Sequence, residues 1–284
     1  SHKAGQNGQI NRDVLRALLS VNPYLNENHC FSNVFSWLYY GGRTAFLQDA
    51  NSMIMRPPEF IEVLRHLRKT LASLTRVTSY TRSKTLAQRK LEELVSIREA
   101  GLDRLHVGLE SGDDEILKLV RKGVTSAEQI EGGKKAMAAG FQLSEYWMPD
   151  LGGRERWHQH AENTARVLSK INPHYIRSRP FVPRQGTEIF CEYEEGRLHI
   201  SSPHERLQEL QVMIENLNVT SRVCFDHNMN SWTNRQGGLL FSLDYEGYKF
   251  PEEKGRVLEL IEEGLTVDES RHINIKELIA LGSL

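Results

Sequence analysis

The stretch RLHVGLESGDDEILKLVRKG at residues 104–123 decides the fold. Its first part, RLHVGL, is an apolar and β-branched run that is typical of a strand. The run stops at Glu110, Ser111 and Gly112, and the acidic residues that follow are typical of the first turn of a helix. The stretch therefore predicts a strand that carries two polar side chains and a glycine turn at its carboxyl end, followed by an amphipathic helix.

Strand-like and helix-like segments alternate five times along the chain. Each apolar run is followed by hydrophobic residues at helical spacing, as in PPEFIEVLRHLRKTL at residues 57–71. The predicted strands are residues 44–48, 75–81, 104–109, 143–148 and 175–181. Such an alternation predicts an α/β fold with a parallel sheet, which right-handed crossovers roll into a barrel or an open barrel.

Length and composition place the chain among ordinary globular proteins. It has 284 residues, of which 26% are charged and 39% hydrophobic, and its formal net charge is −1. This charge gives no reason to expect nucleic-acid binding, and no apolar run approaches the roughly 20 residues of a membrane span. The first residues lack the apolar core of a signal peptide, so we expect a cytoplasmic protein.

Two segments, GLESGDDEILK at 108–118 and MPDLGGRE at 148–155, resemble the radical S-adenosylmethionine (radical SAM) superfamily, in its Elongator- and coproporphyrinogen-oxidase-like branch. The resemblance implies a partial (β/α)6 barrel, similar to a TIM barrel with parallel strands, over residues 41–190. Residues 1–40 would then be an atypical amino-terminal segment, and residues 191–284 a mainly helical extension packed on the barrel. The cofactors that the resemblance implies are S-adenosylmethionine and a 4Fe–4S cluster.

The cluster motif of this superfamily, CxxxCxxC, does not occur in the sequence. The three cysteines, Cys30, Cys191 and Cys224, are far apart and irregularly spaced, which argues against both a disulfide framework and a local metal motif. Iron–sulfur clusters need thiolate ligands, so we predict no metal site in this chain. Two explanations remain open: the three-cysteine loop lies outside this sequence, or the chain is a relative that has lost the cluster.

Polar residues follow the first predicted strand, in the segment Gln48-Asp49-Ala50-Asn51. The resemblance implies that this segment binds the methionine amino group of S-adenosylmethionine. Asp49 is suited to accept hydrogen bonds from an ammonium group, and the amide oxygens of Gln48 and Asn51 are suited to assist. The segment departs from the two glycines and an acid that the family usually shows, and the alternative is a polar turn that caps the next helix.

Glu110 and Ser111 are the second group of candidate cofactor-binding residues. A carboxylate and a hydroxyl at a strand end suit ribose hydroxyls or the amino-acid portion of the cofactor. In the alternative interpretation, Glu110 pairs with an arginine of a neighbouring strand and Ser111 caps the following helix. The resemblance also implies that the loop with Gly152 and Gly153 lies against adenine, where glycines permit close approach of the backbone.

Three arginines surround the last predicted strand: Arg177, Arg179 and Arg184. Arg177 and Arg179 are two residues apart and share one face of a strand. Facing inward, one of them could pair with Glu110 or with the carboxylate of the cofactor. Facing outward, they would be ordinary solvated charges.

The histidines give no further site. For His158, His160, His204 and His227 the sequence offers no shared ligand spacing, and structural or solvent-facing roles are favoured. The leading functional hypothesis, which the resemblance implies, is a radical SAM enzyme core that cleaves S-adenosylmethionine reductively to a 5′-deoxyadenosyl radical, which acts on an unknown substrate. The alternatives are a non-catalytic relative that binds a small molecule or protein partner, and an unrelated barrel enzyme that uses Glu110 as a general base. The sequence indicates neither the substrate nor the oligomeric state.

Overall fold

The structure is a computed structural model that describes residues 10–48 and 50–280. Within these residues the strands are β1 (Thr44–Leu47), β2 (Arg76–Thr81), β3 (Arg104–Glu110), β4 (Gln142–Trp147), β5 (Tyr175–Ser178), β6 (Arg222–Cys224) and β7 (Tyr248–Lys249). The helices are α1 (Arg12–Val21), α2 (His29–Tyr39), α3 (Pro57–Thr70), α4 (Ser83–Gln88), α5 (Leu91–Glu99), α6 (Asp114–Leu119), α7 (Ser126–Ala138), α8 (Gly153–Ile171), α9 (Glu188–Glu194), α10 (Pro203–Asn216), α11 (Lys254–Thr266) and α12 (Ile275–Ala280). Short 3-10 turns lie at Pro23–Glu27, Ser52–Ile54 and Glu269–Arg271.

The strands form one sheet in the order of the chain, from β1 to β7. Parallel ladders join β1 to β2, β4 to β5 and β5 to β6, whereas β7 runs antiparallel to β6. Helices connect the successive parallel strands, as the right-handed crossover of a βαβ unit requires. The predicted α/β fold class, a partial barrel with parallel strands, is confirmed.

Two predicted element boundaries are wrong. The strand predicted at residues 175–181 ends at Ser178, because Pro180 has no N–H to donate to a ladder. The hydrophobic spacing of residues 86–101 also predicts one helix, but the structure has two, α4 and α5, with extended backbone at Arg89 and Lys90. A new helix begins there because the Glu93 carboxylate accepts a hydrogen bond from the Lys90 N–H at 3.2 Å, as in a capping box.

The first of two compact units comprises the described residues of 10–81, together with 90–105 and 139–141. Phe60 and Leu64 of α3 are buried in it, as are Leu94 and Ile97 of α5. Asp103 joins its strands to its helices. One of its oxygens accepts a hydrogen bond from the Val77 N–H at 2.7 Å, and its carboxylate pairs with Arg68 and Arg98.

The second unit comprises residues 82–89, 106–138 and 142–280 as far as they are described. Helix α7 approaches the backbone of α4 closely at Gly132, where a Cβ would lie 2.5 Å from the carbonyl oxygen of Ser83. Helix α10 begins at Pro203, and Ser202 and Glu205 form the capping box that starts it. Helices α9 and α12 and the two-residue strand β7 were not predicted from the sequence. No helix of the described residues is long and apolar enough to cross a membrane.

Candidate functional site

The carboxyl end of β3 has an unusual backbone conformation. Glu110 adopts φ +64°, in the left-handed region that non-glycine residues seldom occupy. Its carbonyl oxygen accepts a hydrogen bond from the N–H of Met148 at 2.9 Å, which ties the end of β3 to the end of β4. Strained backbone of this kind is concentrated at functional sites, so the geometry directs attention to this strand end.

Glu110 pairs with Lys122, and the distance between Oε1 and Nζ is 2.6 Å. Gly108 makes this pair possible, because a Cβ at that position would collide with the Glu110 carboxylate and lie 3.1 Å from the Lys122 ammonium. The predicted alternative, an arginine partner for Glu110, is therefore wrong. A lysine near a helix carboxyl end is ordinarily explained by the helix dipole, so the sequence offered no signal for this pairing.

Ser111 is completely buried, and its hydroxyl oxygen accepts a hydrogen bond from the Asp113 N–H at 3.0 Å. Asp113 caps α6, because its side chain accepts from the N–H groups of Glu115 and Ile116 at 3.1 Å each. The alternative role that the sequence suggested for Ser111, capping this helix, is thus performed by Asp113. Contact between Ser111 and a cofactor stays a prediction.

The Gly152-Gly153 loop is crowded by the protein itself. A Cβ at Gly152 would lie 3.0 Å from Cδ1 of Ile116 and 3.1 Å from Cβ of His160. Gly153 adopts φ +56°, and a Cβ there would lie 3.0 Å from the carbonyl oxygen of His199. These contacts explain both glycines by close packing, and the implied contact with adenine stays a prediction.

A buried polar network lies directly beside this loop. The N–H of Asp150 donates to Oε2 of Glu209 at 2.6 Å, and Oδ1 of Asp150 accepts from the Ser201 N–H at 3.1 Å. His160 approaches the other oxygen of Glu209. Burial raises the pKa of Asp150 to about 7, although the nearby Arg206 guanidinium opposes the shift. His160 is thus buried and in contact with Glu209, and its structural role stays a prediction.

A cavity of about 770 Å³ opens beside Glu110 within the second unit. Its apolar wall consists of Leu119, Val120, Met148, Leu151, Phe181, Ile189 and Leu198. Its charged residues form three ion pairs, Glu110 with Lys122, Glu188 with Arg121, and Glu192 with Arg197. The wall is thus largely apolar and its charges balance, which suits an amphiphilic small molecule.

The two arginines predicted to share one strand face, Arg177 and Arg179, both pair with the carboxylate of Asp226. Nη1 of Arg177 lies 2.5 Å from Oδ2 of Asp226, and Nη1 of Arg179 lies 3.0 Å from Oδ1 of the same residue. The pairing of either arginine with Glu110 that the sequence suggested does not form, since Glu110 is bound to Lys122. Asp226 was missed, because the sequence showed it only as a polar residue of the carboxyl-terminal segment.

The polar segment after β1 belongs to the first unit. Oδ1 of Asn51 accepts a hydrogen bond from the Thr81 hydroxyl at 3.2 Å, and the carbonyl oxygen of Gln48 accepts from Ser52 at 3.2 Å. Asn51 does not cap the following 3-10 turn with its side chain. Asp49, the residue expected to bind an ammonium group, lies outside the described residues.

The cysteines do not fit a 4Fe–4S cluster. Cys30 and Cys191 are exposed on α2 and α9, whereas Cys224 is buried in β6. Burial raises the pKa of the Cys224 thiol to about 12, which disfavours the thiolate that a cluster needs. No group of three or more histidine, cysteine or acidic side chains suited to a metal ion occurs among residues 10–48 and 50–280.

Comparison with known proteins gives one family. The family model described as Radical SAM superfamily matches residues 38–155 of this chain. A curated relative, the threonylcarbamoyladenosine tRNA methylthiotransferase MtaB of Rickettsia prowazekii (strain Madrid E), is 25% identical over 130 residues. The matched part is 46% of this chain and 31% of MtaB, so the chain spans about a third of that relative.

Two solved structures are similar to this chain. Archaeal Elp3 of Methanocaldococcus infernus, with an N-terminal deletion, has a TM-score of 0.54 and 14% identity, covering 87% of this chain and 60% of Elp3. Coproporphyrinogen III oxidase (HemN) of Escherichia coli, described as a radical SAM enzyme, has a TM-score of 0.47 and 15% identity. The match covers 61% of this chain and 39% of HemN. At such identity the likeness to Elp3 shows the fold alone.

Proposed function

We propose that this chain, whose residues 38–155 match the family model described as Radical SAM superfamily, is a member of that superfamily and binds S-adenosylmethionine at the carboxyl ends of its parallel strands. The family generally uses S-adenosylmethionine and a 4Fe–4S cluster. Such a cluster, when bound and reduced, would supply the electron for reductive cleavage of the cofactor. Because the cysteines of this chain do not fit such a cluster, the chemistry we propose for the chain itself is limited to binding and shielding the cofactor.

The 770 Å³ cavity beside Glu110 is the observation that carries this proposal. Its volume lies within the range of small-molecule sites, roughly 300–1,000 Å³. S-adenosylmethionine combines an apolar base with hydroxyl, ammonium and carboxylate groups, and the cavity combines an apolar wall with paired charges. Ligands of parallel α/β proteins bind at the carboxyl ends of the strands, which is where Glu110 lies.

Each candidate residue has a role in this proposal. The carboxylate of Glu110 accepts hydrogen bonds from ribose hydroxyls, and Lys122 holds that carboxylate in place. The backbone beside Gly152 and Gly153 lies against the adenine. In the first unit, the role of Gln48, Asp49 and Asn51 as ligands of an ammonium group stays a prediction. Buried and half-buried apolar side chains of the cavity wall exclude water, among them Val120, Met148, Leu151 and Phe181.

A second candidate function follows from the cysteines. A relative that has lost its cluster would keep the cavity and bind a small molecule or a protein partner without catalysis. A CxxxCxxC motif encoded ahead of residue 44 in the gene would favour the enzyme. A gene without a CxxxCxxC motif ahead of residue 44 would favour the non-catalytic relative.

Calorimetric titration of the chain with S-adenosylmethionine and S-adenosylhomocysteine tests the proposal. We expect measurable heat with both, and a weakening of about 1–3 kcal/mol in Glu110→Ala, because a hydrogen bond to a charged group is lost. Glu259→Ala is the matched control, since Glu259 is an exposed residue of α11 that pairs with Arg256. An absence of heat at millimolar ligand would contradict the proposal.

A further inference from the structure

Arg177, Arg179 and Asp226 form a cluster on the β4–β6 side of the second unit, and their charges do not sum to zero. Asp226 accepts hydrogen bonds from both Arg177 and Arg179, so two positive charges share one negative charge. Glu246 does not supply the second negative charge, because it lies 3.7 Å from Arg222 and pairs with that arginine. The cluster therefore carries an excess charge of +1.

Several groups of the protein hold Arg177, although its buried Nη2 has no hydrogen-bond partner among the described residues. Its side chain is completely buried, its Nε donates to the Ser144 hydroxyl at 3.1 Å, and its Nη1 donates to the Tyr245 carbonyl at 3.1 Å. Its guanidinium group also lies over the Tyr245 ring, with Cζ 3.9 Å from the ring centre. Arg177 is thus placed to position Asp226 rather than to meet a ligand.

Arg179 is held only in part. Its Nη1 donates to Asp226 and to the Ser178 carbonyl, and its guanidinium group lies over Tyr146 with Cζ 4.8 Å from the ring centre. About a quarter of the side chain is exposed. Within the described residues Nε and Nη2 have no partner, so one edge of a fixed guanidinium plane remains available. That edge matches the two oxygens of a carboxylate or phosphate.

The surroundings of Arg179 are positive. Arg184 is exposed, and its side chain has no partner in the part of the chain that the structure describes. Burial lowers the pKa of His227, and Arg179 and Arg184 lower it further, against the opposing effect of Asp226. The electrostatic potential at His227 is thus net positive, and a bound anion would make it less positive.

We propose that Arg179 binds a carboxylate or phosphate group of the substrate side-on, through Nε and Nη2, with Asp226 and Arg177 as positioning residues. This inference rests on the proposed function, because it names the substrate class of that enzyme as an organic acid or a phosphate ester. Arg184 adds long-range attraction for the same anion.

Titration of the ¹⁵N-labelled chain with succinate and, separately, with inorganic phosphate tests the site. We expect a saturable shift of an arginine Nε–H signal in the wild type and in Arg256→Gln, a control at an exposed residue of α11. Arg179→Gln should lose the shift, and Arg179→Lys should bind several-fold more weakly, because an ammonium keeps the charge but not the fork. The anion that saturates at the lower concentration identifies the group. A shift that persists in Arg179→Gln, or none in the wild type, would overturn the inference.

Calorimetry with S-adenosylmethionine separates this inference from the proposed function. Arg179→Gln should bind S-adenosylmethionine within about twofold of the wild type. A loss greater than about tenfold would mean that Arg179 serves the cofactor, which would refute the inference and support the proposed function. If the wild type responded to the anions but bound no S-adenosylmethionine, the anion site would stand while its assignment to a radical SAM substrate would fail.

Discussion

Oε1 of Glu209 lies 2.6 Å from Nδ1 of His160, and both side chains are completely buried. The second oxygen of Glu209 accepts from the N–H of Asp150, so one carboxylate joins α8, α10 and the loop that follows β4. Asp150 adopts φ +71° within this network. The candidate cofactor loop is therefore held by buried polar groups, and its conformation depends on their charge.

Asp150 should make the stability of the protein depend on pH. Burial raises its pKa from 3.8 in the unfolded chain to about 7 in the folded protein. Between these values the folded state holds a proton that the unfolded state releases, so the free energy of unfolding falls as the pH rises from about 4 to 7. The expected loss from this residue is about 4 kcal/mol, since one pKa unit corresponds to about 1.4 kcal/mol.

Urea denaturation at pH 4, 5.5, 7 and 8 measures this dependence. In Asp150→Asn the loss of stability between pH 4 and 7 should be much smaller than in the wild type, because the amide does not titrate. Asp13→Asn is the control, since the Asp13 side chain is 92% exposed on α1. Parallel curves for wild type and Asp150→Asn would show that the proton is held elsewhere.

Removal of Asp226 should be strongly destabilising. Asp226→Ala leaves Arg177 charged, fully buried and without its carboxylate, and removing one member of a buried pair typically costs about 3–5 kcal/mol. Glu259→Ala breaks an exposed pair with Arg256 and should cost about 0–1 kcal/mol. Chemical denaturation of the two variants gives the comparison, and equal costs would mean that Arg177 finds another partner.

The local sequence pattern predicted β3 and the helix after it, because strand and helix periodicity are properties of neighbouring residues. It did not predict the partner of Glu110. That pair depends on a left-handed Glu110 and on the missing side chain of Gly108, neither of which has a periodic signature. It also did not predict Asp226, which lies 49 residues from Arg177 in sequence and meets it only through the neighbouring strands β5 and β6.

Gly108 should be coupled to the ion pair beside it. Gly108→Ala places a Cβ against the Glu110 carboxylate, which cannot move away while it is bound to Lys122. We expect a cost of about 1–3 kcal/mol in the wild type, typical of overpacking, and a smaller cost in a Lys122→Met background where Glu110 is released.

Thermal and urea unfolding of the four proteins in this cycle measure the coupling. Gly255→Ala is the control, since a Cβ at Gly255 of α11 meets no atom within 4 Å and a helical alanine should stabilise by about 0.5–1 kcal/mol. If Gly108→Ala cost the same in both backgrounds, the strain would arise from the backbone of β3 and not from the pair.

Iron and sulfide should not assemble into a stable 4Fe–4S cluster on this chain. A cluster needs several thiolates at one place, whereas Cys30 and Cys191 are exposed on separate helices and Cys224 is buried with a raised pKa. Anaerobic reconstitution followed by iron counting and a visible spectrum gives the measurement, and we expect well under one iron per chain. The variant Cys30→Ser tests for adventitious binding at the exposed thiol and should leave the iron content unchanged. About four irons per chain, with a broad absorption band at about 400 nm, would contradict the prediction, because only thiolate-bound clusters give that combination.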